Sequence, residues 1–79
     1  NAATQRHVEP ARAIAVRHLD RYLELFTEIA TAAGVVDPAL VGRQLLMLLE
    51  GATVVADHHG LGRAAADEAR EVALGLLRA

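Results

Sequence analysis

Four histidines are the residues whose chemistry asks first for a reading. His58 and His59 are adjacent, so on a helix or a tight turn their rings diverge. His7 and His18 lie eleven residues apart, about 16 Å along a continuous helix. Neither pair has the i,i+3 or i,i+4 spacing that sets two imidazoles on one metal ion. The spacing predicts surface or turn histidines and no metal site. His18 is the exception worth following, because it falls beside an apolar helix face and can line a pocket. Glu24 and Glu28 form a carboxylate pair one helical turn apart. With no histidine or second acidic pair in register they make neither a metal site nor an acid–base pair, and Arg21 compensates their charge. Arg43, Glu50 and Asp57 recur every seven residues, with neighbours about 10 Å apart along a helix. They read as a solvated seam or as ion pairs to a neighbouring helix. The chain contains no serine and no cysteine, which removes the two commonest nucleophiles. Its six glycines are scattered singly, so no phosphate-cradling loop exists. No enzymatic role, cofactor or metal is expected of this chain.

Binding remains open. Tyr22, Phe26 and Met47 are large, adaptable side chains on otherwise aliphatic segments. They read either as plain core or, with His18, as one wall of a hydrophobic ligand cavity. Gln44 flanks an apolar stripe and can offer its amide to a ligand or across a subunit seam.

Three helices must position these residues. The first is expected over about 9–33, with Leu19, Tyr22, Leu23, Phe26, Ile29 and Ala30 on one face and Arg17, Asp20, Arg21, Glu24 and Glu28 opposite. Pro10 suits its first turn and Gly34 its C-terminal cap, and the residues before Glu9 read either as the tail of a preceding helix or as a loop. Ile14, His18 and Leu25 lie on a shoulder of the apolar face, where a further element can touch. The second helix is expected over 38–58, with Asp37 as N-cap and Pro38 at the first helical position. The third spans about 63–78, with an alanine-rich stripe through Ala65, Ala69, Val72, Ala73 and Leu76. No alternating stretch suggests a strand.

The second helix sets the architecture. Val41, Leu45, Leu48, Leu49, Ala52, Val55 and Ala56 form one broad stripe, and Leu40, Met47, Gly51 and Val54 fall toward the opposite side. A helix apolar nearly all round is covered on more than one side. Seventy-nine residues with 53% apolar content but one Phe, one Tyr and no Trp can hardly surround it. A second copy is the expected cover. The expected fold is therefore all-α, a three-helix fragment whose last two helices form a four-helix bundle with a second subunit. Leu45, Leu48, Ala52, Val55, Ala69, Val72 and Leu76 are the expected interface. The net charge of −2, with eight arginines and no lysine, lacks the basic footprint of a nucleic-acid surface. No uninterrupted apolar run of about 18 residues spans a bilayer, and the absence of cysteine fits a cytoplasmic protein. The start at Asn1, without an initiator Met, is taken to mean a piece of a longer chain.

The arginine- and leucine-bearing helix ending in Ala-Ala-Gly, the Asp-Pro start, the RQLLMLLEGA run, the short glycine-containing turn and the final alanine-rich helix occur here in that order. Over about residues 9 to 79 this pattern resembles the C-terminal end of TetR-family transcriptional regulators. The resemblance implies an all-helical homodimer in which a small molecule is bound by the C-terminal domain and DNA by an N-terminal helix-turn-helix. The last two long helices of each subunit would meet in a four-helix bundle. It implies, for residues 1–79, the C-terminal part of an effector-binding and dimerisation domain, from a regulator expected to be a repressor. The DNA-binding part has no counterpart in this chain, so no residue here is assigned to DNA. Most helices that wall the ligand pocket in that family also have no counterpart. Two other classes stay open: a stand-alone helical interaction module, and a helical subdomain of a larger enzyme.

Overall fold

The computed structural model describes the backbone of residues 2–79 and the side chains from Pro10 onward. The chain folds into three α-helices, α1 (Ala2–Ala33), α2 (Pro38–His59) and α3 (Gly62–Arg78). No strand occurs among the described residues. Helix α2 is central, packing against α1 on one side and α3 on another, while α1 and α3 barely touch each other.

The helix ends follow from local chemistry. Gly34 adopts φ +77°, a left-handed conformation open to glycine because it has no Cβ. The Gly34 N–H donates to the Thr31 carbonyl at 3.1 Å and the Val35 N–H to the Ala30 carbonyl at 3.4 Å, the paired bonds of a Schellman cap. Three residues later the Asp37 carboxylate accepts from the Leu40 N–H at 3.1 Å and caps α2. Pro38 then occupies the first turn, where an absent N–H loses no bond. Gly60, at φ 63°, closes α2, and α3 starts two residues on with no side-chain cap.

Helix α1 begins at Ala2 rather than near residue 9 and continues through Pro10. Pro10 is compatible with a first turn, which is why the sequence suggests a start there. Inside a helix it lacks the N–H for the carbonyl four residues earlier. Here it sits exposed, and the helix carries on past it. Helix α2 extends one residue beyond the expected 58, and α3 starts at Gly62 instead of 63.

Helices α1 and α2 come close together at Gly42. A Cβ placed there would lie 2.5 Å from the Thr27 Oγ1 and 3.1 Å from the Thr27 Cα and N. The Thr27 hydroxyl itself turns back onto α1, donating to the Leu23 carbonyl at 2.8 Å. Glycine therefore allows a contact that no other residue permits without movement.

What these contacts enclose is small. Among the described side chains only Ala30, Leu45 and Ala65 are buried apolar residues, and no large side chain is fully buried. The accessible surface is 6035 Å², against about 4,600 Å² for a compact monomer of this mass. The radius of gyration is 15.4 Å, against about 12 Å for a globular chain of this length. Part of the excess belongs to α1, whose residues Ala11 to His18 are all exposed. Apolar side chains of α2 and α3, among them Met47, Val54 and Val72, are exposed as well.

Candidate functional site

Helix α2 has one side committed and one open. Leu45 is 6% exposed and Gly42 is buried, so the α1-facing side is taken up within the chain. Leu45, one of the residues expected at the subunit interface, is enclosed within the chain itself. Farther round the helix Met47 is 65% exposed, Val54 55% and Leu40 41%. Only 17% of the most apolar eighteen-residue window of α2 is buried. By length and composition α2 can also cross a membrane. A helix wrapped by protein on all sides has the same length and composition, so these do not discriminate.

Two grooves run along α2 and α3, sharing Leu48, Ala52 and Ala69. One, of 320 Å³, is lined by Leu48, Gly51, Ala52, Val55, Ala69 and Val72, with Ala65 at its base and Glu68 its only charged residue. It gathers five of the seven residues expected at an interface: Leu48, Ala52, Val55, Ala69 and Val72. Leu76 is half-buried and lies outside that groove. Small side chains make its walls low, so a neighbouring helix can approach closely.

The other groove, of 380 Å³, lies between Phe26 of α1 and the alanine stripe of α3, over Leu45, Leu49 and Ala56. Arg70 is its only charged lining residue. Periodicity sets Arg70 among the polar side chains that cover α3 away from its apolar stripe, and assigns Thr53 no role, yet both line this groove. The available signal was Arg70 lying next to Ala69 and within a turn of Ala66 and Ala73, beside the alanine stripe.

The four candidate ligand residues separate. His18, Tyr22 and Phe26 stand one turn apart on α1 and their rings interact. His18 meets Tyr22 edge-on at 5.0 Å between centroids, and Tyr22 stacks on Phe26 at 5.9 Å with an interplanar angle of 26°. His18 and Tyr22 line a shallow 190 Å³ depression with Arg21 and Leu25. Phe26 belongs to the larger groove. Met47 lines neither of these and stands exposed on α2. Its apolar character does not bring it to the α1 side, because α2 turns it away. Gln44 is half-buried beside Leu45. Arg43, Glu50 and Asp57 are exposed along α2, and Glu24 and Glu28 are exposed on α1. His58 and His59 are exposed in the last turn of α2, and the side chain of His7 lies outside the described residues. Among the described residues no cluster of three or more His, Asp or Glu side chains can hold a metal ion.

No protein-family model, curated protein or solved structure matches this chain.

Proposed function

We propose that this chain is an association and effector-binding module, the C-terminal part of a TetR-like transcriptional regulator acting as a homodimer. The observation that carries the association part is the open flank of α2, where Leu40, Met47, Val54 and Val55 face water. The chain exposes about 1,400 Å² more than a compact monomer of its mass. A standard interface removes about 800 Å² from each partner. A second copy seated on Gly51, Val55 and Val72 would remove an area of that order, while the exposed length of α1 keeps its own share of the excess. The four-helix bundle built from α2 and α3 of each subunit is the arrangement this reading assigns.

The regulator part rests on the sequence resemblance alone. In it, a small apolar or amphipathic effector binds beside α1, favours one relative orientation of the two subunits, and so changes the spacing of two DNA-reading heads on a palindromic site. DNA contact would belong to residues outside this chain. As a bacterial-type regulator the parent protein would act in the cytoplasm.

Sedimentation velocity at micromolar concentration tests the association. The wild-type chain is expected as a dimer, and Val55→Glu as a monomer, since the substitution sets an unpaired charge in a packed apolar seam at several kcal/mol. A compact, fully helical wild-type monomer would remove the basis of the reading. A parent protein without a helix-turn-helix upstream of Asn1 would overturn the regulator part and leave the association part standing.

A further inference from the structure

We propose that the 380 Å³ groove between Phe26 and α3 binds an apolar anion, a molecule with a hydrophobic body and one carboxylate- or sulfonate-type end, with Arg70 reading the charge. The inference rests on the effector-binding reading above and supplies the ligand class that reading lacks.

The volume lies within the range of small-molecule sites, toward its lower end. Its walls are Phe26 on α1, Leu49 and Ala56 on α2, and Ala66 and Ala73 on α3. Alanine on α3 creates the space, since larger side chains there would fill it. Such walls select a hydrophobic body. Two side chains supply polarity. The Thr53 hydroxyl already donates to the Leu49 carbonyl at 2.9 Å, so its proton is spent and its oxygen can only accept. The Arg70 guanidinium is left as the donor, and no acidic residue lines the groove. Its planar fork fits a carboxylate or sulfonate through paired, charge-assisted bonds. A ligand group that only accepts, and that carries negative charge, suits this pairing.

The neighbouring groove carries the opposite sign. Its one charged lining residue is Glu68, which repels an anion. The two grooves are thereby sorted, one for a negative ligand and one for a protein neighbour.

The test uses two fluorescent probes of similar shape, 8-anilinonaphthalene-1-sulfonate and its neutral counterpart N-phenyl-1-naphthylamine. Each is titrated into wild type, Arg70→Gln, Ala66→Leu and Val55→Glu. Circular dichroism first establishes that every variant keeps wild-type helicity. Ala66 is exposed on α3, so leucine there fills the groove without entering the interior. Wild type is expected to bind the sulfonate at least tenfold more tightly than the neutral probe. Arg70→Gln should abolish that preference and leave the neutral probe's affinity unchanged, and Ala66→Leu should weaken both. Sulfonate binding unaltered by Arg70→Gln would overturn the role of Arg70. Binding of both probes unaltered by Ala66→Leu would overturn the site. A dimeric wild type that ignores both probes would sink this inference and spare the association reading. Selective sulfonate binding by a wild type that sediments as a monomer would do the reverse, and retention of that selectivity in Val55→Glu would support a site contained within one chain.

Discussion

The contact at Gly42 predicts that Gly42→Ala destabilises the chain, although alanine is the better helix former. Replacing glycine by alanine inside a helix ordinarily gains about 1 kcal/mol. At Gly42 the added methyl would stand 2.5 Å from the Thr27 Oγ1 and 3.1 Å from two Thr27 backbone atoms. Rotating the hydroxyl away relieves the first clash and breaks its bond to the Leu23 carbonyl, a loss of about 1 kcal/mol. The backbone contacts cannot rotate away, so α1 and α2 must separate by a few tenths of an ångström. Overpacking of this kind costs about 1–3 kcal/mol. The net expectation is a loss of about 1–3 kcal/mol after the gain in helix propensity is set against these terms. Gly75→Ala is the control, since nothing lies within 4 Å of a Cβ there, and it should gain about 1 kcal/mol. Urea denaturation followed by circular dichroism at one fixed protein concentration reads both. One substitution chemistry should thus give opposite signs at two positions. Gly42→Ala at or above wild-type stability would refute the close approach of the two helices. Adding Thr27→Ala should recover the share due to the hydroxyl and leave the backbone share.

Two further substitutions test the helix ends in the same assay. Asp37→Ala removes the acceptor for the Leu40 N–H and should lower stability by about 1 kcal/mol, whereas Asp37→Asn should retain most of it. A midpoint unchanged by the alanine would mean that the cap contributes nothing to α2. Gly34→Ala forces a Cβ into the left-handed region at φ +77° and should cost about 1–2 kcal/mol; an unchanged midpoint would show that the α1–α2 turn rearranges freely.

Local signals made much of the fold legible. Asp37-Pro38 marked the start of α2 and Gly34 the end of α1, because capping depends on residues adjacent in sequence. The beginning of α1 was not legible, since Pro10 obeys the rule for a first turn equally well. The periodicity of α2 identified both its broad stripe and the set Leu40, Met47, Gly51 and Val54 on the far side. It did not say which neighbour covers what. Leu45 and Leu48 lie on one stripe, yet α1 buries the first and the second borders a groove. That division depends on where α1 lies against α2, and the close approach to Thr27 falls at Gly42, a glycine with no turn around it to draw attention. Among the candidate ligand residues, His18, Tyr22 and Phe26 stand one turn apart on α1, and that spacing brings their rings together, a contact the cavity-or-core alternative did not specify. Met47 stood apart from them because size and adaptability carry no directional information.

The scarcity of enclosed side chains has an operational consequence. Two alanines and one leucine are the buried apolar residues among the described side chains. In the proposed dimer, part of the cohesion of this small core would come from the copy that settles over α2. Any ligand or copy that binds only the folded form adds to its stability by mass action. For the proposed dimer, melting temperature would then cease to be a constant of the molecule and become a titration curve, rising with the quantity of chain in the tube.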